Sequence, residues 1–370
     1  MKIAILSPFY PYRGGIARFS DRLYRELENS GNEIKAFSFK RLYPGFLFPG
    51  KTQFVEDVEV AGSHAKQILD SINPLSWRKT AKAIEAYQPD VLIIAYWMPF
   101  FAKAFRTIAK RQKGKTKIVV LTHNAIPHEP RLFDKNLTRL FFKQADSFIA
   151  LSDAVMQDIL AIRPDANITL KSHPLYDDYG EAIPPKEARK QLNIDLDRKT
   201  LLFFGLIRDY KGLDILIDTM AELGDDYQLV IAGECYGSFD KYQQQIEASP
   251  AKERIKVINQ YISDKDIPPL FSAADLLVLP YRSATQSGVI PLAYYYELPI
   301  VATDVGSLKE TVAQAGTGII TQPEPRAIAR AIKQYFSAST EEYKANIRKE
   351  RERLSWERFV EEGVSKCVDL

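Results

Sequence analysis

Cysteine is nearly absent: Cys235 and Cys367 are the only two in 370 residues, and they lie far apart. That excludes a disulfide framework and a cysteine-built metal cluster, and it points to a reducing, cytoplasmic setting. Histidine is almost as scarce. His64, His123, His128 and His173 are scattered, so a histidine-built metal centre is not expected. The longest nearly apolar run, Val91 to Ala102, falls well short of the ~20 residues that cross a bilayer. The first eight residues read as a strand and a loop and lack the length and cleavage site of a signal peptide. There is no internal repeat, no low-complexity tract and no nucleic-acid-binding module, so nucleic acid is not an expected partner.

What remains is ordinary globular composition, 46% hydrophobic and 26% charged, at a length that suits two domains. Net charge is only +3, but its distribution is uneven. Residues 1–180 carry 26 Lys and Arg against 18 Asp and Glu; the rest carries 24 against 29. No acidic residue lies between Asp90 and Glu129, whereas Lys103, Arg106, Lys110, Arg111, Lys113, Lys115 and Lys117 do. A basic face on the first half suits an anionic acceptor or an anionic membrane surface; the plainer reading is a solvated helix flank. Trp97, Phe100 and Phe101, just before the basic run, are the apolar half of an expected peripheral membrane contact.

Both halves alternate short apolar runs with amphipathic stretches. In the first half, strands are expected at 3–6, 34–37, 91–94, 118–121 and 147–151. Helices are expected through Phe19, Leu23 and Leu27, and at 65–69, 77–87, 102–110 and 137–144. In the second half the strands are 201–204, 228–232, 255–259, 276–279 and 299–303, with helices at 213–221, 242–248 and 268–273. Such alternation implies parallel sheets covered on both faces. The expected organisation is a doubly wound, Rossmann-like domain at 1–180, a linker at 181–198 and a second such domain at 199–355. An amphipathic segment at 356–370 is expected to pack back on the first. Ligands of such sheets bind beyond the carboxyl ends of the strands, here in a cleft between the two domains.

Four places carry candidate chemistry. Gly14-Gly15 follows the first strand and lets backbone approach a ligand at a helix start. His123-Asn124 ends the strand 118–121, where an imidazole can donate to a sugar hydroxyl or a phosphate. In Phe204-Gly205-Leu-Ile-Arg208-Asp-Tyr-Lys211-Gly212, a guanidinium and an ammonium beside a helix start can neutralise a departing diphosphate. Thr285-Gln286-Ser287-Gly288-Val289 joins a buried strand to a helix and can present backbone N–H groups to a diphosphate. For each the plain alternative is a polar turn or a structural side chain. A fifth match is rejected. Gly45 to Thr52 fits a phosphate-loop pattern letter for letter, but its interior is Phe-Leu-Phe-Pro. Pro49 lacks the N–H a cradle would use, and the residues that follow alternate like a strand.

Taken together, the chain resembles the retaining, family-4-type group 1 glycosyltransferases of GT-B architecture. The resemblance rests on Gly14-Gly15, His123-Asn124 and Ser152 in the first half. In the second half it rests on Phe204-Gly205, Arg208, Lys211-Gly212, Ile231-Ala-Gly233, Ala274-Asp275, Leu279-Pro280 and Leu298 to Gly306. It implies a nucleoside diphosphate sugar donor on the second domain and a glycan or lipid-linked acceptor on the first. It also implies no metal or other cofactor, and transfer with retention of anomeric configuration. By the same resemblance Arg208 and Lys211 grip the donor phosphates, and Tyr261-Ile262 lie in the loop that contacts the base.

The sequence departs from that family at one place. Many members carry two glutamates eight residues apart, the first against the transferred sugar and the second against the ribose. Here the first position falls near Thr285-Gln286 and the second at Leu292 or Ala293, and none is acidic. Gln286 can still donate to and accept from sugar hydroxyls. A non-catalytic nucleotide-sugar-binding or scaffold protein on the same fold is therefore a second reading, and a sugar-nucleotide epimerase a third.

Overall fold

The computed structural model describes residues 1–45, 52–54, 64–126, 134–284 and 287–369. The chain divides into two compact units, Met1–His173 with Trp356–Leu370, and Pro174–Ser355.

The first unit is built on β1 (Lys2–Leu6), α1 (Gly15–Asn29), β2 (Glu33–Arg41), β3 (Lys66–Asp70), α2 (Pro74–Tyr87), β4 (Val91–Tyr96) and α3 (Ala102–Gln112). It continues with β5 (Lys117–Thr122), α4 (Asp134–Phe142), β6 (Ser147–Ala150), α5 (Asp153–Ile162) and β7 (Ile168–Leu170). Its seven-stranded sheet runs β3-β2-β1-β4-β5-β6-β7, and every pairing is parallel. The central strand β4 is buried along its whole length. Leu92, Ile94 and Tyr96 face a cluster with Phe101, Phe105, Phe141 and Phe142; Val91 and Ile93 face another with Phe19 and Leu23. That split is the two-residue period of a strand covered on both faces.

Two expectations fail here. Residues 65–69 are not helical: Lys66–Asp70 is edge strand β3, paired parallel with β2 from Phe37↔Lys66 to Arg41↔Asp70 with a register shift on either side of Phe39. A five-residue run with few apolar positions does not distinguish the two periods, and ladder pairing decides it. Nor do Trp97 and Phe101 form an outward apolar face. Both are buried, packed on each other with ring centroids 4.4 Å apart and against Phe39 and Phe105. Residues 46–51 and 55–63, and with them most of the rejected phosphate-loop match, lie outside the described residues.

The second unit contains α6 (Pro185–Gln191), β8 (Lys199–Phe204), α7 (Leu213–Ala221), β9 (Tyr227–Ala232), α8 (Asp240–Ala248), β10 (Ile255–Ile258), α9 (Ile267–Ala273) and β11 (Leu276–Leu279). It ends with α10 (Val289–Tyr295), β12 (Ile300–Thr303), β13 (Gly318–Thr321), α11 (Pro325–Ser337) and α12 (Glu341–Arg353). Its six-stranded parallel sheet runs β10-β9-β8-β11-β12-β13, so the strand order reverses between β8 and β11. Residues 181–198, expected as a linker, are integrated into this unit. Arg189 of α6 is buried, donates to the Ala273 and Leu196 carbonyls, and pairs with Asp275 at 2.8 Å just before β11.

The C-terminal residues from Trp356 onward close one face of the first sheet. Trp356, Phe359, Val360 and Val364 are buried in the cluster that holds Phe19 and Leu23. The Trp356 ring lies 4.9 Å from that of Phe19, and the Arg22 guanidinium sits 5.3 Å from its centre.

Candidate functional site

In the second unit the strand-order reversal places two loops side by side, the one after β8 and the one after β11. Crevices at such reversals are where open parallel sheets bind ligands. The β8 loop leaves the sheet at Gly205, whose φ of +100° suits glycine, and it ends at Gly212, φ +66°. A Cβ on Gly212 would sit 2.1 Å from the Pro280 carbonyl oxygen, so only glycine lets the loop close onto the end of β11. A Cβ on Gly233, after β9, would sit 2.0 Å from the Gly205 oxygen. These close approaches carry Lys211 inward.

Lys211 is 9% exposed. Its Nζ lies 3.2 Å from where a Cβ on Gly205 would be, and the Val289 side chain at the start of α10 lies 3.7 Å from the same point. The ammonium also sits 5.6 Å from the centre of the Tyr281 ring. No carboxylate among the described residues pairs with it, and burial first, then the neighbouring Arg208 charge, pushes its pKa below the usual lysine value. A buried ammonium without a counter-ion is costly unless an anion arrives from outside the chain. Arg208, three residues earlier and in extended backbone, is exposed and lies 4.8 Å over the Tyr236 ring.

The opposite wall is the segment after β11. Tyr281 is buried, its hydroxyl 3.3 Å from Ser287 Oγ, and burial pushes its pKa up to about 12. Arg282 ties the two loops: its N–H donates to the Tyr210 carbonyl at 2.7 Å, and its guanidinium donates to the Asp209 carbonyl and to Asp214. Gly288 precedes α10 with an ordinary φ of −65°. Thr285 and Gln286 lie outside the described residues.

The structure thus gathers Gly205, Lys211, Ser287, Gly288 and Val289 around one corner, with Arg208 on its rim. Tyr261 is 36% exposed, and Ile262 is buried in the core beside Phe271 and Ile290. Leu292 and Ala293, where a second glutamate was sought, are buried core residues. Glu297 is occupied by Arg348 and Arg351, each at 2.9 Å. Sequence reasoning missed Tyr281 and Arg282; the signal was an aromatic and a cation directly after Leu279-Pro280.

Gly14, Gly15 and His123 belong to the first unit. Gly14, φ +110°, caps the fifteen-residue α1 without a side-chain cap bond, and both glycines are exposed. His123 directly follows β5, its N–H bound to the Tyr96 carbonyl at 2.8 Å. The imidazole is buried, edge-on to Phe19 at 5.1 Å, and burial together with His173 holds its pKa down to about 3. It is therefore neutral at physiological pH and can exchange hydrogen bonds but not carry charge. Among the described residues no group of three or more His, Cys, Asp or Glu is placed to hold a metal ion.

Two doubly wound parallel-sheet units, one with a cationic corner at its strand-order reversal, define a GT-B type of architecture. Residues 13–170 match the family described as Glycosyltransferase Family 4, and residues 185–353 match Glycosyl transferases group 1; the chain belongs to these group 1 glycosyltransferases. It is 33% identical over 144 residues to a lipopolysaccharide core biosynthesis mannosyltransferase of Rhizobium meliloti, covering 36% of this chain and 40% of that protein. It is 27% identical over 220 residues to a GDP-mannose:glycolipid 4-beta-D-mannosyltransferase of Xanthomonas campestris, covering 57% of each. The chain thus spans about half the length of the curated relatives it matches. Among solved structures, sucrose-phosphate synthase from Thermosynechococcus elongatus shares its fold at a TM-score of 0.76 and 19% identity, over 99% of this chain and 98% of that one. A glycosyltransferase from Rickettsia africae does so at 0.74 and 17%, over 100% and 98%.

Proposed function

We propose that the protein transfers a sugar from a nucleoside diphosphate sugar to a glycan or lipid-linked acceptor, with retention at the anomeric carbon and without a metal ion. The observation that carries this reading is Lys211, a buried ammonium with no carboxylate partner among the described residues, at the corner of Gly205 and Val289. As the sugar–phosphate bond breaks, negative charge grows on the departing diphosphate. An ammonium already fixed in a dry corner stabilises that charge without reorganising, which is the usual source of large electrostatic rate effects. Arg208 adds a second, more solvated cation on the rim. Neutral His123 acts as a hydrogen-bond partner for a sugar hydroxyl. Relatives named for mannosyl and glycolipid transfer support a glycan or lipid-linked acceptor. One of them names a GDP-sugar donor and a beta linkage, so the donor base is decided by the panel below and the anomeric outcome is read directly from product.

The test is a panel of UDP-, GDP- and ADP-sugars, screened by thermal shift and then by transfer to mixed lipid and glycan acceptors. Proton NMR of the product reports its anomeric configuration. Transfer abolished in both Arg208→Ala and Lys211→Ala, with the fold intact, is the expected result. Full turnover in both variants sinks the assignment. The missing glutamates favour one other reading, a non-catalytic nucleotide-sugar-binding protein. Tight donor binding with neither hydrolysis nor transfer would establish that reading instead.

A further inference from the structure

On the first unit, α2 and α3 pack side by side, joined by a bond of 2.8 Å from the buried Gln112 side chain to the Ala81 carbonyl. Between them lies a groove of about 810 Å³ lined by Arg78, Lys79 and Lys82 of α2 and Arg106, Lys110 and Arg111 of α3, with no acidic residue. Positions 75, 78, 79 and 82 share one stripe of α2, and 103, 106, 107 and 110 share one stripe of α3, as helical spacing requires. The nearby acids are already taken. Glu85 pairs with Arg111 at 2.6 Å and Lys115 at 2.7 Å, and Asp70 pairs with Arg41 at 2.8 Å. No ion pair among the described residues engages Arg78, Lys79, Lys82, Arg106 or Lys110.

A second cavity of about 440 Å³ adjoins the first, sharing Leu75 and Lys79 and adding Lys40 and Arg41. Leu75, which both cavities share, is 72% exposed, and Ile72, three residues earlier, is 46% exposed. Cations alone fit any polyanion. Cations arranged around protruding aliphatic side chains fit a surface that is negative outside and apolar just beneath, which is an anionic bilayer.

We propose that the α2–α3 face, with Ile72 and Leu75 at its tip, docks the protein onto an anionic lipid surface. The contact shares Arg106, Lys110 and Arg111 with the one expected around Trp97, Phe100 and Phe101, but its apolar part is Ile72 and Leu75, since Trp97 and Phe101 are core residues. It does not depend on the sugar-transfer reading, because none of these residues belongs to the Gly205–Lys211–Val289 corner.

The test is co-flotation of the full chain with vesicles of equal parts phosphatidylglycerol and phosphatidylcholine, against phosphatidylcholine alone. Binding to the first, weakened by salt, is expected. Each cation near such a surface is worth about a fivefold change in partitioning, so Lys79→Gln/Lys82→Gln/Lys110→Gln should lower binding about 100-fold. All three side chains are exposed, so an unchanged melting temperature and unchanged nucleotide affinity confirm that the variant is folded. Leu75→Ser should weaken vesicle binding several-fold while leaving binding to soluble dextran sulfate unchanged. Three results would each overturn the proposal: no wild-type flotation with phosphatidylglycerol, a triple variant within twofold of wild type, or dextran sulfate binding without vesicle binding.

Discussion

Replacing Lys211 with methionine separates what this side chain does for the fold from what it does for a ligand. The ammonium is almost fully buried, faces no carboxylate among the described residues, and is pushed towards its neutral form by burial and by Arg208. Its contact with the Tyr281 ring, at 5.6 Å in a desolvated setting, returns about 2 kcal/mol, less than the several kcal/mol that burying an ammonium costs. Methionine fills similar space without a charge to desolvate, so the ligand-free variant should be more stable than wild type by on the order of 1–3 kcal/mol. Binding should move the other way. Losing one charge-assisted contact to a diphosphate costs about 1.5–3 kcal/mol, or roughly 10- to 100-fold in affinity. Nucleotide sugar at 100 times its dissociation constant adds about 2.7 kcal/mol to wild type and far less to the variant, so the order of stability narrows or inverts. The sign of the pH dependence follows from the depressed pKa. The unfolded lysine keeps its proton up to about 10.5 and the folded one releases it earlier. In that alkaline window the unfolded state holds more protons, wild-type stability rises with pH, and the gap to the variant closes. The assay is urea denaturation with and without ligand at several pH values. A variant less stable than wild type when empty, yet equally stabilised by nucleotide sugar, would refute the reasoning.

Other outcomes follow from the same geometry. Gly212→Ala drives a Cβ to within 2.1 Å of the Pro280 oxygen at a φ of +66°, and should cost at least about 3 kcal/mol in denaturant titration, because the obstacle is backbone. His123, held at about 3 against an unfolded value of 6.5, favours folding fully only above pH 6.5. As pH falls towards 3 the unfolded state takes up the proton first, so stability should drop by about 2 kcal/mol between pH 7 and pH 5 from this group. His123→Gln should flatten that limb in the same titration. Trp356→Ala removes a buried indole from between Phe19 and Arg22 and should cost about 3–5 kcal/mol in the unfolding of the first unit, followed by tryptophan-independent circular dichroism.

Strands buried on both faces were legible, because β1, β4, β5, β8, β9, β11 and β12 read as short continuous apolar runs between turns. The edge was not. In β3 only Leu69 and Asp70 are buried, and its ladder with β2 rather than its composition makes it a strand. The strand and helices between Gly318 and Arg353 went unread beyond the Pro299–Thr303 strand, where amphipathic patterns were present but no motif drew attention to them. At the candidate site the residue types were visible, since Gly205, Arg208, Lys211 and Gly288 stand out in any strand-to-helix loop. What could not be read was burial. A lysine in an Asp-Tyr-Lys-Gly turn looks solvated, and only the approach of Gly212 to Pro280 and of Gly233 to Gly205 turns it inward. The same holds for Trp97 and Phe101, whose aromatic character fits a membrane face or a core equally well until Phe39 and Phe105 are placed against them.

The central claim is that the corner of Gly205, Lys211 and Val289 receives a donor diphosphate. A crystal structure with the nucleotide sugar selected by the binding panel tests it most directly. The account predicts a diphosphate oxygen about 3 Å from Lys211 Nζ, with Arg208 swung off Tyr236 towards the same group. A nucleotide sugar bound at full occupancy with its diphosphate away from Lys211 would contradict it.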